Sequence, residues 1–235
     1  MHDHGHTKST LTQAIGAALL GLAVIAAASL IAFNLVENDK TTDPSTTLRP
    51  LSATITSIQG DVTMSVDEGN NWFDGLLDAS LESGNYISTG EDGFAEVTLG
   101  DNSILRLNSN SSFGIVSLNS VQTTIDHFSG ELYSRAVSEN SSLKIRLDDS
   151  TFSSKEAAFL TRHNDEHVVE MYYGSGTMLD GDSINIQQGF GYDDQVGSFS
   201  LSLTISDTPE FIKWNRDADA SLDSLDGKLG TLEDL

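Results

Sequence analysis

Residues 81–113 read LESGNYISTGEDGFAEVTLGDNSILRLNSNSSF, and their spacing decides the fold class. Ala95, Val97 and Leu99 alternate with Glu96 and Thr98, the two-residue period of a strand with one face buried. Gly84, Gly90 and the pair Asp101-Asn102 interrupt that period with residues suited to chain reversal. The pattern continues outward. Leu143, Ile145 and Leu147 alternate with Lys144 and Arg146, and Val169, Met171 and Tyr173 alternate with Glu170 and Tyr172. Short strands of this kind fill residues 52–205, with no amphipathic helix between them. The reading is a mainly β domain, either an antiparallel sandwich of jelly-roll type or a β-solenoid-like stack.

Both flanks differ from this core. Phe211, Trp214, Ala218, Leu222 and Leu225 repeat at helical spacing, with Pro209 at the first turn, Thr208 as a cap and Gly227 as a stop. An amphipathic C-terminal helix over 209–225 is expected, packing Phe211 and Trp214 on the β-domain, within a C-terminal segment 206–235. Residues 37–51 are polar, contain two of the three prolines and read as a linker. No charged residue occurs from Ser9 to Val36. Residues 11–36 therefore read as a transmembrane signal anchor, longer than the h-region of a cleaved signal peptide. Residues 1–10 are then a short cytoplasmic head and the β-domain is extracytoplasmic, a single-pass, N-in arrangement at the cell membrane. Ala17 and Gly21 form a small-xxx-small pair through which two such helices can dimerise.

Charge narrows the partners. The chain of 235 residues carries 35 acidic against 12 basic side chains, a net charge of -23. Such a surface repels phosphate backbones, so nucleic acid is excluded. There is no cysteine, which removes disulfides, thiolate metal sites and a cysteine nucleophile.

In order along the chain, Gly60-Asp61-Val62, Trp72, the run Gly84-Asn85-Tyr86-Ile87-Ser88-Thr89-Gly90, the strand Ala95 to Leu99 and Asp101-Asn102-Ser103-Ile104-Leu105 resemble the FecR-type extracytoplasmic domain. Gly130-Glu131-Leu132-Tyr133, Ala158-Phe159-Leu160, Val168 to Gly174, Gly181 and Gly189 fit the family's second half, so the resemblance spans roughly Ile55 to Tyr192. Where the family carries an R-G-T tripeptide this chain has Ser153-Ser154-Lys155-Glu156-Ala157. The resemblance implies an extracytoplasmic module without the family's sigma-binding half, with a function of sensing, scaffolding or surface binding. The family's best-known members hold a sigma factor through a cytoplasmic region, and a ten-residue head is too short for an interface of ~800 Å² per partner.

Two constellations suggest chemistry. His163-Asn164-Asp165-Glu166-His167 matches the inverted zinc-protease signature H-x-x-E-H, which needs a helix to bring both imidazoles to one metal. Here it lies between two strand-like runs, so a hairpin tip is expected, with a cross-strand pair of histidines and no identifiable third ligand. Asp217, Asp219, Ser221 and Asp223 suggest a calcium loop, but Leu222 stands where its glycine belongs. His2, His4 and His6 alternate in the head, a spacing that can chelate a transition metal, but with no packed shell to orient the rings they read as a flexible tail. No catalytic, cofactor-binding or metal residue is assigned, and no cofactor. The expectation is a non-enzymatic binding or sensing module for an envelope protein or glycan. The competing readings are a hydrolase, zinc-dependent through His163, Glu166 and His167 or acid–base through paired carboxylates, and an acidic structural scaffold. Trp72 belongs either to the core or to an exposed aromatic platform.

Overall fold

The computed structural model describes residues 48–201 and 209–220. The expected anchor at 11–36, the head and most of the linker lie outside the described residues, as do 221–225 of the expected helix. Among the described residues no helix is long and apolar enough to cross a membrane.

The domain is mainly β, as the alternation predicts. Its strands form two ladders that share one strand. In the first, β1 (Ala53–Gln59) lies between β4 (Ser80–Leu81) and β6 (Phe94–Leu99). The order continues through β7 (Ile104–Leu107), the C-terminal half of β9 (Gln122–Ala136), β12 (Ala157–His163), β13 (His167–Tyr173), β16 (Phe190–Asp193) and β17 (Gly197–Ser200). In the second, β2 (Val62–Ser65) lies between β3 (Phe73–Asp74) and β5 (Tyr86–Thr89). It continues through β8 (Ser112–Ser117), the N-terminal half of β9, β10 (Ser142–Leu147), β11 (Ser150–Ser154), β14 (Ser175–Asp180) and β15 (Asp182–Gln187).

Among the described residues every strand pair is antiparallel except β9 with β10, which is parallel, so the network is mixed where the sandwich alternative expected antiparallel strands. The apolar positions of both ladders meet in one core, from Ile55, Val97, Leu105 and Leu132 on one side to Ile87, Phe113, Ile125 and Ile145 on the other. Phe152 of β11 meets Phe159 of β12 edge to face, with ring centroids 4.7 Å apart. The two ladders, joined through β9 into one open mixed sheet, share a common core.

The transfer of β9 between ladders turns on Gly130. In the sequence this residue reads as the start of a strand; in the fold it sits inside one, at φ +79°. Residues before it pair with β8 and β10, and residues from it onward pair with β12 and β7. A side chain there would lie 2.2 Å from Ser111 Oγ, so only glycine fits.

The alternating triplets behave as read, with one exception. Ala95, Val97, Leu99, Leu143, Ile145 and Leu147 all point inward. Val169 and Met171 do too, but a bulge in the β12–β13 pairing opposes Ala158 to Tyr173 and Phe159 to Met171. The extra residue turns Tyr173 to the opposite face, where it packs with Tyr133, Ala158, Leu160 and Ile212. The Asp101-Asn102 reversal forms as expected: Asp101 Oδ1 accepts from Ser103 N at 3.0 Å and Asn102 takes φ 67°. At the N-terminal edge, Leu51 N donates to Leu118 O and Pro50 bridges Asn119, so the end of the segment read as linker is fastened to the domain.

Candidate functional site

Three places on this scaffold carry chemistry. The first is the outer face of the first ladder, covered by helix α1 (Glu210–Ala220). Pro209 O accepts from Ile212 N and Lys213 N, both at 3.0 Å, which starts the helix where the proline predicts. The buried face is offset from the expected stripe: Ile212, Asn215 and Asp219 are buried, whereas Trp214 is 41% exposed. The offset follows from charge. Arg106, a mid-strand residue that alternation assigns to solvent, is 1% exposed and donates through Nη1 to Asp219 Oδ1 at 2.6 Å and through Nε to Glu96 Oε2 at 2.7 Å. Tyr133 Oη donates to the other Asp219 oxygen at 2.6 Å, and Arg135 Nε approaches it at 4.0 Å. The Arg106 guanidinium lies 5.2 Å from the Trp214 ring and 5.8 Å from the Tyr133 ring.

Two arginines against two carboxylates leave this buried cluster neutral. Burial alone would lower the Arg106 pKa, but Asp219 and Glu96 outweigh it and the net shift is upward. Burial raises the Tyr133 phenol, and the neighbouring Asp219 carboxylate raises it further. Asp219 is thus a structural ion-pair partner, not a calcium ligand; Ser221 and Asp223 lie outside the described residues. Beside the helix runs a cleft of about 490 Å³, lined by Phe94, Asn108, Glu131, Phe211 and Trp214 among others. Phe94 packs edge-on against Trp214, with centroids 4.2 Å apart. The expected docking of Phe211 and Trp214 on the β-domain therefore occurs, at the margin of a polar centre.

The second place is the segment between β2 and β4. Asp67 organises it, accepting from Ser65 Oγ at 2.7 Å and Asn71 N at 2.8 Å, and hydrogen bonds led by Asn71 hold its carboxyl below the usual range. Trp72 is 45% exposed, with Nε1 donating to Gly69 O at 2.9 Å, and this answers the open question: it is not a core residue. Val66, Phe73, Leu76 and Leu77 are exposed beside it in sequence. Tyr86 packs near Gly69, and its ring lies 4.9 Å from Phe128, itself partly exposed. Exposed apolar and aromatic side chains are thus concentrated in residues 66–77, with the Tyr86–Phe128 pair close to Gly69 of that segment, and large exposed apolar groups mark interaction surfaces.

The third place is the H-x-x-E-H stretch. His163 and His167 close the β12–β13 hairpin as direct cross-strand partners, as the flanking strand patterns predict. Glu166 is exposed and not part of their cluster. Without a helix to set it over a metal, the inverted-protease reading loses its general base. Asp148, in the turn between β10 and β11, joins the two histidines. This third group escaped the sequence reading because a carboxylate in a polar turn 15 residues away carries no local signal. Behind His163, His127 is fully buried. Thr161 Oγ1 donates to its Nδ1 at 3.0 Å and its Nε2–H donates to Ser129 O at 3.0 Å. Burial, reinforced by His163, drives its pKa down to about 3, so it is neutral at physiological pH.

Residues 85–175 match the family model described as FecR protein, and the chain carries a FecR-type domain. The match is narrower than the resemblance from Ile55 to Tyr192. The segment 153–157, which departs from the family's R-G-T, is the β11–β12 turn and its flanks, with Glu156 at φ 29°. Two crystal structures of a protein from Parabacteroides distasonis ATCC 8503, provisionally described as an anti-sigma factor, are similar at TM-score 0.44. They share 14% and 13% identity, over 49% of this chain and 59% of theirs. This chain thus spans about three-fifths of the length of those relatives. No curated protein matches it.

Proposed function

We propose that the chain is a single-pass, membrane-anchored protein whose FecR-like domain faces away from the cytoplasm and binds an envelope protein or glycan without catalysing a reaction. The aromatic surface around Trp72 carries this reading. Exposing Trp72, Phe73, Leu76 and Leu77 together costs solvation free energy that packing does not return, and a partner that covers them recovers it at roughly 25 cal/mol per Å². Aromatic side chains are also the residues that concentrate binding energy in interfaces. The acidic surface favours partners that are neutral or basic.

The test uses the full chain in its own membrane. A photo-crosslinking residue at Leu76 captures the partner, and Trp72→Ser with Leu77→Ser abolishes capture, whereas a crosslinker at Phe190, exposed on the other ladder, captures none. Equal capture from both positions refutes the assignment of the surface. The absence of cysteine makes topology directly testable: Val196→Cys, at a position 75% exposed, is labelled by a membrane-impermeant maleimide in intact cells if the domain is outside.

A further inference from the structure

At one end of the domain His163 Nε2, His167 Nε2 and Asp148 Oδ2 converge. The carboxylate oxygen lies 3.2 Å from the first nitrogen and 3.5 Å from the second, and all three atoms fall within 4.8 Å of one another. The other ring nitrogen of each histidine is already committed. His163 Nδ1 hydrogen-bonds the backbone carbonyl of His127, which can only accept, so Nδ1 holds the proton. His167 Nδ1 lies 3.3 Å from Asp194 Oδ2, an acceptor as well. In a neutral imidazole this fixes the His163 tautomer with a bare Nε2 lone pair, and the Asp194 carboxylate beside His167 Nδ1 favours the same tautomer there.

Three lone-pair atoms at this separation repel unless positive charge sits among them. One added proton, on His163 Nε2, satisfies its contact with Asp148 but leaves His167 Nε2 unmatched, and two would create imidazolium rings with centroids 4.7 Å apart. One divalent cation resolves the repulsion at once. We propose that Asp148, His163 and His167 form a binding site for a divalent transition metal of the zinc type. Bonds of 2.0–2.1 Å in a tetrahedron give ligand-to-ligand edges of about 3.3 Å, a value that lies between the two observed separations. Two imidazoles with one carboxylate suit a borderline ion rather than calcium or magnesium. The supporting shell is in place, a carbonyl behind one histidine and a carboxylate behind the other. Asp148 is 70% exposed at the side chain, so the fourth position faces water.

The site joins three turns. Asp148 comes from the β10–β11 turn of the second ladder, the histidines from the hairpin tip of the first, and Asp194 from the β16–β17 turn. Glu166 lies outside, so the ion acts as a clip between ladders and not as the centre of a hydrolase.

The experiment titrates Zn²⁺ into the purified full-length chain carrying His2→Asn, His4→Asn and His6→Asn, which removes the head as a competing chelator. One equivalent binds, with a thermal-midpoint rise of about 5–10 °C at a hundredfold excess over Kd. Co²⁺ in its place gives the absorption bands of a tetrahedral site. Asp148→Asn and His167→Asn each weaken binding by at least tenfold, and Asp194→Asn, one shell out, by about tenfold. Because Asp148 is exposed, Asp148→Asn keeps a cooperative metal-free melting curve and loses the metal-induced rise, which separates lost ligation from lost fold. Absence of a stoichiometric site in the chain with only His2, His4 and His6 replaced, or affinity unchanged by Asp148→Asn and His167→Asn, overturns the proposal.

Discussion

Replacing Asp219 by alanine strips the buried carboxylate that receives Arg106 Nη1 and Tyr133 Oη, both at 2.6 Å, and leaves two arginines that are each 1% exposed without their shared counter-charge. Breaking one side of a buried pair costs about 3–5 kcal/mol, because the remaining charge keeps its desolvation penalty. The helix provides an escape. Ile212 and Asp219 tie α1 to the outer face, whereas the main core contains no helix residue. Undocking α1 hydrates both arginines and caps the loss at the docking free energy, so the domain stays folded while the helix leaves. At 1.4 kcal/mol per decade, a loss of 3–5 kcal/mol raises the open population of α1 by about two to three and a half orders of magnitude. Amide hydrogen exchange over 210–220 measures it directly, and Trp214 fluorescence in a Trp72→Phe background reports loss of the Phe94 contact. Asp217→Ala, at an exposed helix position, is the control. Replacing both partners by apolar residues, Arg106→Met with Asp219→Leu, costs less than Asp219→Ala alone. If Asp219→Ala exchanges no faster than Asp217→Ala, the buried pair does not hold the helix and the reasoning fails.

Three further outcomes follow from particular residues. His127 stays neutral in the fold down to about pH 3, whereas the unfolded chain takes up that proton below pH 6.5; stability therefore falls as pH drops through this window, by up to ~1.4 kcal/mol per unit. Urea midpoints measured between pH 7.5 and 4.5 decline less steeply for His127→Gln, and identical slopes count against the neutral buried imidazole. Gly130→Ala forces a Cβ to within 2.2 Å of Ser111 Oγ at φ +79°, and a destabilisation of at least ~2 kcal/mol in chemical denaturation is expected. Trp72→Ser changes stability by less than ~1 kcal/mol while abolishing partner capture, and a collapse of the melting curve would put Trp72 back in the core.

Much of this molecule is legible one strand at a time. The two-residue period in 95–99 and 143–147 names the inward side chains, and Asp101-Asn102 names the reversal, because strand sidedness and turn geometry are properties of neighbouring residues. Pro209 likewise marks the start of α1, and the flanks of H-x-x-E-H mark it as a hairpin rather than a helix. The order of the glycine and turn motifs carries the FecR resemblance. What the period cannot state is which strand lies next to which. The parallel pairing of β9 with β10 and the sharing of β9 between ladders depend on contacts among distant segments. The single bulge that sends Tyr173 to the outer face arises from the β12–β13 register, and the alternation of 169–173 shows no trace of it.

Charged positions divide in the same way. Arg106 occupies a strand position that alternation gives to solvent, and its burial depends on Asp219, 113 residues later, arriving on a helix that covers that face. Asp148 gains its meaning only when the β10–β11 turn comes to rest beside the β12–β13 hairpin. By itself the sequence determined the β class, its turns and the apolar half of each strand, since these follow from local sterics and from removing apolar side chains from water. Tertiary structure alone decided the buried ion pairs and the three-residue cluster, because electrostatic partners are set by distance in space, and chain separation does not encode it.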